Sequence, residues 1–368
     1  MMSRSWTVLS LLVPALALLA GVSPPVAAAA QERVPAVLAG RVIAAGGGDT
    51  RGVRVFARAG ALADSAEVDS AGRFALVLPE ASLGDSLELW VDAADSGAAA
   101  FHPARLRLGP WDVAREQEIV LVPLRWTIDA GRYAGHEVEV RLARAFSPPC
   151  ATCTGFFRTL PADKNSGRTR LQGWPAGRFP LRVAFDREWN GEPVTARDSA
   201  AFWRAADELE ETFGADVFRP ANFPDAVPRE DGGPDDVILV WFDPDMRGIG
   251  GIGTAVSHGD DIEYGDVRLN REALREDAMA QGLVPHELMH ALGFGHTCAW
   301  RSVVADVRRC PSLRAPTATE DDVAYAELAA AIRSLLRERG GRWAIEAALA
   351  AMAAPRERPL AVRQDGGW

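Results

Sequence analysis

Positive charge is scarce in this sequence. Its 40 lysines and arginines are outnumbered by 50 aspartates and glutamates, so the formal net charge is −10. A broad nucleic-acid surface needs an excess of positive charge, so the composition excludes nucleic acid as the main partner. Lysine occurs once, at Lys164, and the arginines are scattered along the chain. We therefore interpret the arginines as a compositional bias and not as a phosphate-recognition surface.

Long apolar runs are absent after the first 30 residues. The one such run, Trp6–Val22, follows Arg4 and precedes the small residues VAAAA. A positive start, an apolar middle and small residues at the end predict a signal peptide at 1–30, cleaved just before Gln31. A membrane anchor is the alternative, but Pro14 interrupts the run. The mature chain is predicted to be secreted to the extracellular space or the periplasm, without a membrane span.

Cysteine is sparse, with four in the mature chain: Cys150, Cys153, Cys298 and Cys310. Export permits disulfides, and four cysteines allow three pairings. Proximity in the sequence favours Cys150–Cys153 and Cys298–Cys310, and the other pairings stay open. Cys150 and Cys153 also form a CxxC motif. The βαβ pattern that accompanies redox CxxC motifs does not surround it.

Short β-rich segments fill positions 34–124. They are LAGRVIA, VRVFARA, AEVDSAGRFALVLP, DSLELWVDA and EIVLVPL, with a hairpin-type turn predicted at Asp69–Gly72. Five or more strands without an intervening helix predict a small β-sandwich over 34–124. Positions 125–177 are rich in Pro, Gly and Cys and are predicted as a linker or irregular segment, with one further strand in HEVEVRL at 136–142.

A second domain is predicted over 178–355. RFPLRVAFD and DDVILVWFD are typical of strands, and TARDSAAFWRAADELEETFG predicts a helix with a capping box of Thr195 and Asp198 and an end at Gly214. We interpret RGIGGIGTAVSHGDD as a glycine-rich loop and IEYGDVRLN as a strand. The loop lacks the Gly-Lys-Ser/Thr ending of a phosphate loop. Two more helices are predicted after Thr319.

Histidine is rare too, yet three of the six histidines lie within HELMHALGFGH. In a helix, His286 and His290 lie on one face because they are four residues apart, so they can bind one ion. Gly293 can adopt a positive φ and end the helix, which lets His296 return as a third ligand. Glu287 is rotated off that face and can reach a water on the ion without being a ligand.

Three protein ligands leave a fourth position for water, the pattern of a catalytic zinc site. The predicted activity is that of a secreted endopeptidase with one catalytic Zn²⁺ and a protein or peptide substrate. It hydrolyses peptide bonds through a zinc-bound water, with Glu287 as general base. Two alternatives remain open. One is a structural zinc site with Cys298 as fourth ligand, and the other is hydrolysis of a non-peptide amide.

The motif HExxHxxGxxH resembles the signature of the metzincin zinc endopeptidases, and the order of segments over 178–336 is most similar to the matrixin-type branch. This resemblance implies an α+β fold in which a metzincin-type catalytic domain has a mixed sheet and an active-site helix. It implies that the GDVRLN strand forms a sheet edge along which an extended substrate lies. It also allows structural calcium, for which no ligands are assigned.

Two further expectations follow from family resemblance. The spacing G-x-V…V-x-V…V-D-S-x-G-x-F…L-P resembles the carboxypeptidase regulatory-like family, which implies an all-β transthyretin-like sandwich before the catalytic domain. Metzincins carry a methionine in a turn after the third histidine, and Val304 is expected in its place here. We also hypothesise that a Cys298–Cys310 disulfide fixes the loop that forms one wall of the specificity pocket.

A different class of function is a catalytically weakened or inactive protease-like secreted protein that binds through its β-sandwich. The absence of the turn methionine favours this alternative. Glu287 argues against it, because an inactive site has no chemical need for a base. The secreted endopeptidase is therefore the prediction we adopt, and no feature of the sequence indicates an oligomeric state.

Overall fold

The computed structural model describes residues 36–59, 62–78, 87–92, 101–102, 104–108, 116–141, 159–160, 170–171, 173–186, 194–222, 236–243, 246, 250–258, 261–275, 277–297, 301–306, 308 and 310–338. Over these residues the protein is α+β, with three α-helices, several small sheets and one five-stranded mixed sheet. None of these helices has the length and apolar character needed to span a membrane. The predicted signal peptide and the last predicted helix, at 342–354, lie outside this set.

Seven strands in the first third of the chain form two sheets around one shared core. The strands are β1 (Ala36–Ala44), β2 (Arg54–Ala59), β3 (Leu62–Glu67), β4 (Arg73–Leu78), β5 (Leu87–Asp92), β6 (Ala104–Leu108) and β7 (Gln117–Leu121). One sheet has the order β4-β1-β7 and the other β3-β2-β5-β6. Alternate residues of β4 are buried, and Phe74, Leu76 and Leu78 enter a core to which both sheets contribute. The two sheets therefore form a β-sandwich.

The turn at Asp69–Gly72 connects the two sheets of the sandwich. The Gly72 N–H donates to the Asp69 carbonyl at 3.0 Å, with Gly72 at φ 77°. The Asp69 carboxylate accepts from the backbone N–H groups of Ala71 and Arg73, each at 2.8 Å. The predicted turn is therefore present, but its flanking strands do not pair as in a hairpin, because β3 and β4 belong to different sheets. The alternating pattern on both sides predicts two strands but does not say which strand each one pairs with.

The segment after the sandwich packs on the second half of the chain. Strands β8 (Arg125–Thr127) and β9 (Glu137–Glu139) form an antiparallel hairpin, so the strand predicted at 136–142 is present. Trp126 is buried in the core of the second half, and its indole N–H donates to Glu327 at 2.8 Å. Two short strands follow, β10 (Thr159–Leu160) and β11 (Arg170–Leu171), which pair with each other in an antiparallel sheet.

The second half is built on a five-stranded mixed sheet in the order β13-β12-β14-β16-β15. Its elements are β12 (Leu181–Phe185), α1 (Ala196–Phe213), β13 (Phe218–Pro220), β14 (Val237–Phe242), β15 (Gly251–His258), β16 (Asp261–Leu269), α2 (Asp277–Ala291) and α3 (Glu320–Glu338). All neighbouring strands are parallel except β15 and β16. Alternate residues of β14, such as Ile238, Val240 and Phe242, enter the core that also contains residues of all three helices.

Helix α1 begins and ends as its sequence predicts. The Thr195 hydroxyl accepts from the Asp198 N–H while the Asp198 carboxylate accepts from the Thr195 N–H, which is a complete capping box. Gly214 closes the helix in the left-handed conformation at φ 67°. Phe202 and Leu209 of the predicted apolar stripe are buried. Local signals were sufficient here because both helix ends are determined by nearby residues.

The edge of the five-stranded sheet differs from the expectation. The GDVRL residues lie in β16, between β14 and β15, so the prediction that GDVRLN forms the edge is wrong. The terminal strand is β15, which occupies much of the stretch interpreted as a glycine-rich loop. The glycines are needed because α2 lies directly against this strand: a Cβ on Gly253 would lie 2.8 Å from the His290 Cβ. A strand that needs glycines for close packing resembles a loop in sequence.

Candidate metal centre

Helix α2 brings the first two histidines to the same side. His286 and His290 are four residues apart, one helical turn, and their rings make an edge-to-face contact with centroids 4.5 Å apart. The helix ends at Ala291. Gly293 adopts φ 104°, a backbone conformation that residues with a Cβ rarely adopt. The Phe294 N–H then donates back to the Met289 carbonyl at 2.9 Å. The sharp turn predicted at Gly293 is confirmed.

The turn returns His296 to the first two histidines, as the sequence predicts. The three Nε2 atoms form a nearly equilateral triangle, with 3.1 Å between His286 and His290, 3.2 Å between His290 and His296, and 3.2 Å between His296 and His286. Nitrogens about 2.0–2.1 Å from one tetrahedral zinc ion lie about 3.3–3.4 Å from each other. The three histidines therefore form a group that could hold a metal ion.

The proton positions support a cation between the rings. The His286 Nδ1 lies 2.7 Å from the Val303 carbonyl, and the His290 Nδ1 lies 2.6 Å from the Phe294 carbonyl. A carbonyl accepts hydrogen bonds, so the His290 Nδ1 carries the proton and its Nε2 presents a lone pair. At the His286 Nδ1 the Val303 carbonyl and the Arg314 Nη1 both approach, and only the carbonyl suits a ring that binds a metal ion through Nε2. Burial lowers the pKa of His286 well below its usual value and also lowers that of His296. Neutral imidazoles with converging lone pairs repel one another unless a positive ion lies between them.

Glu287 is buried beside this group. Only 3% of the residue is exposed. Burial raises the pKa of its carboxyl to about 7, while a backbone hydrogen bond from Gly253 and the charge of Arg314 lower that pKa by less. A Cβ on Gly251 would lie 2.7 Å from the Glu287 Cγ. The glycines of β15 thus leave the room that the glutamate and its helix occupy.

Beneath His286, a buried carboxylate supports the loop that accepts its Nδ1 proton. Asp322 is fully buried near the start of α3 and accepts from the Ser302 hydroxyl at 2.5 Å and from the Val303 N–H at 3.1 Å. It also accepts from the Thr319 N–H at 2.9 Å, which forms the predicted cap of that helix. Burial raises the pKa of Asp322, and these hydrogen bonds oppose that effect. Val303 therefore connects the two side chains: its N–H donates to Asp322, and its carbonyl lies against the His286 Nδ1.

We expect Asp322→Ala to lower the free energy of unfolding by about 3 kcal/mol, because buried donors lose their acceptor. Urea denaturation of the variant measures this loss. Glu320→Ala is the matched control on the first turn of the same helix. Its carboxylate pairs with His136 at an exposed position, 3.0 Å away, and such pairs contribute little. Equal stability of the two variants would contradict the buried network.

Trp174 holds the end of the histidine-bearing helix. Its indole N–H donates to the Ala291 carbonyl at 3.0 Å, and the residue is 4% exposed. The last carbonyls of a helix lack partners within the helix, so this bond satisfies one of them next to the Gly293 turn. The sequence carries no local signal for this contact, because the two residues are 117 positions apart.

Trp174→Phe is expected to reduce the free energy of unfolding by about 1 kcal/mol, since it keeps an aromatic ring but leaves the Ala291 carbonyl without its donor. Denaturant titration with and without added zinc measures the loss. Trp203→Phe serves as control, because the described residues offer its indole N–H no hydrogen-bond partner. If both variants lose the same stability, the indole bond has no specific role.

The loop after His296 holds Val304, the residue expected in place of the methionine of the metzincin turn. Val304 is fully buried, its N–H donates to the Ser302 hydroxyl at 3.0 Å, and its carbonyl accepts from the Thr297 N–H at 3.1 Å. Cys310 is disulfide-bonded, with its Sγ 3.2 Å from the Thr297 carbonyl. Cys298 lies outside the described residues, as do Cys150 and Cys153, so the Cys298–Cys310 pairing and the ligand role of Cys298 stay predictions.

His102 and His136 lie outside the group of three histidines and contact other residues. His102 Nε2 lies 2.8 Å from the Val140 carbonyl, and His136 pairs with Glu320. The metal-compatible group among the described residues contains neither of them. Comparisons with protein-family models, with curated proteins and with solved structures find no match to this chain. The arrangement of the site itself is therefore the basis for any functional conclusion.

Proposed function

We propose that this chain is an exported zinc-dependent endopeptidase with Glu287 as its general base. The observation that carries the proposal is the convergence of three Nε2 atoms within 3.2 Å of one another, with a buried carboxylate on the residue after the first histidine. Neutral nitrogen ligands suit zinc, and three of them leave a position free for chemistry. Export rests on the N-terminal pattern of the sequence.

The histidines and the glutamate of the site have different proposed roles. His286, His290 and His296 hold the ion through Nε2, and the backbone carbonyls beyond two of the rings fix their orientation. A zinc ion bound there supplies a Lewis acid that lowers the pKa of water and polarises a carbonyl. The Glu287 carboxylate accepts the proton of the attacking water and passes it to the departing amine.

The substrate is proposed to lie along β15. This is the terminal strand of the sheet as described, and it lies against the helix that carries Glu287. Ile252 and Val256 of this strand are large apolar residues with 41% and 37% exposure. An extended peptide can add to a sheet edge through main-chain hydrogen bonds, while its side chains meet the exposed residues of the strand. Glu287 and His290 lie against Gly251 and Gly253 of this strand, so a peptide bound along it would lie beside the proposed base.

The proposal is tested by incubating the purified mature protein with casein and with a mixed peptide library. Cleavage should occur, stop with a chelator and return when zinc is added. Absence of cleavage by the zinc-loaded protein would contradict the proposal and favour the binding-protein alternative. Cleavage that continues in the presence of the chelator would also contradict the proposal. Hydrolysis of small non-peptide amides alone would assign the same site to a different substrate class.

A further inference from the structure

The loop that follows the third histidine forms a wall beside helix α2. We call Ser302–Pro316 the wall loop. Its two ends pair with each other, since the Ser302 N–H donates to the Leu313 carbonyl and the Ala315 N–H to the Ser302 carbonyl, both at 3.0 Å. It touches the helix at Gly282, where a Cβ would lie 2.9 Å from the Pro316 carbonyl oxygen. The wall loop is therefore fixed against the turn of α2 that precedes His286.

Arg314 of the wall loop places a guanidinium at this point. Its Nη2 donates to the Gly282 carbonyl at 3.1 Å, and its Nη1 contacts the Nδ1 side of His286. Gly282 and His286 are one helical turn apart on the same face of α2. The charges of Arg314 and Glu287 also interact. A permanent positive charge thus lies beside His286, on the Nδ1 side of its ring and not on the Nε2 side that faces the other two histidines.

This guanidinium has no carboxylate partner among the described residues. It makes one hydrogen bond to a carbonyl, although arginine has five N–H donors. Other half-buried arginines of the same domain are paired: Arg182 with Asp236 at 2.9 Å, and Arg333 with Asp261 at 3.2 Å. Glu287 and Asp322 act on Arg314 through their charges, but neither forms a direct ion pair with it. A carboxylate supplied from outside could therefore make the direct pair that a partly buried guanidinium lacks.

We propose that Arg314 is a specificity-determining residue that pairs with an aspartate or glutamate side chain of the peptide substrate, close to the scissile bond. The inference rests on the proposed endopeptidase function. A planar guanidinium suits a carboxylate because two parallel hydrogen bonds can form between them. The amide of asparagine or glutamine has the same shape but no negative charge, so it pairs less strongly. Arg314 therefore selects among substrates and takes no part in the proton transfers.

A purely structural role for Arg314 makes a different prediction. If the guanidinium only holds Gly282 in place or balances the charge of Glu287, its removal lowers the cleavage of every peptide by the same factor. A specificity role changes the ratio between acidic and amide substrates. The ratio of kcat/KM for matched peptides separates the two roles and does not depend on how much active enzyme a variant yields.

The experiment uses the zinc-loaded protein and peptide pairs that differ only by Glu against Gln, or Asp against Asn, at each position near the bond that a library identifies as cleaved. We expect kcat/KM to be about 10- to 100-fold higher for the acidic peptide at one position. Arg314→Gln should bring this ratio close to 1. Arg308→Gln, a change at an exposed arginine of the wall loop, should keep the wild-type ratio. The wild-type ratio should also fall as salt is raised.

Two results would overturn the inference while leaving the proposed function intact. One is wild-type cleavage without an acidic preference at any position, which needs no variant to fold. The other is an acidic preference that Arg314→Gln retains. A wild-type protein that cleaves no peptide would overturn both proposals together.

Discussion

Replacing Glu287 with alanine is expected to leave metal binding intact and to lower the rate of peptide cleavage by about 10²- to 10⁴-fold, the usual contribution of a general base. The carboxylate is not one of the three converging ligand atoms, so its removal leaves the group that holds the ion unchanged. Elemental analysis of the variant and kcat/KM with the best library peptide measure the two effects separately.

Glu287→Gln is the conservative companion, because it keeps the shape of the side chain against Gly251 and removes its basicity. It should be as inactive as the alanine variant. Glu272→Ala is the control, since this glutamate is exposed and lies before α2 in the chain. Metal-loaded Glu287→Ala protein that cleaves at the wild-type rate would rule out the proposed base.

The second large effect is expected from Gly253→Ala. The added Cβ would overlap the Glu287 carbonyl and lie 2.8 Å from the His290 Cβ, so β15 and α2 must separate. Overpacking of this kind costs about 1–3 kcal/mol, and the shift also displaces a metal ligand and the base. We expect lower stability in urea, weaker zinc binding by competition with a chelator, and a loss of cleavage larger than the stability change explains.

Gly177→Ala is the matched control for this substitution. A Cβ at Gly177 meets no atom within 4 Å, and its φ lies outside the left-handed region. The control should be as stable as the wild type or slightly more so, because alanine restricts the unfolded chain. If Gly253→Ala behaves like the control, the strand and the helix are not as closely packed as described.

The sequence predicted the three histidines of the site because their geometry is local. His286 and His290 are one helical turn apart, and Gly293 alone provides the positive φ that returns His296. The helix caps at Thr195 and Thr319 are local in the same way, since each involves residues three positions apart. These features needed no knowledge of the tertiary fold.

The residues that support the site could not be predicted in this way. Trp174 reaches Ala291 across 117 positions, and Asp322 reaches Val303 across 19, with nothing in either segment to indicate its partner. The sheet edge was assigned to the wrong strand because alternation identifies strands and not their order. The role of Gly251 and Gly253 is visible only when the helix that lies against them is in place.

The most direct test of the account is the metal content of the folded mature protein, measured by elemental analysis after purification without added metal. The account predicts about one divalent ion per chain, removed by a chelator and regained with zinc. It also predicts that His290→Ala, which removes one corner of the nitrogen triangle, loses the ion. A folded wild-type protein that neither contains nor takes up zinc would contradict the account, as would a His290→Ala variant that retains the full metal content.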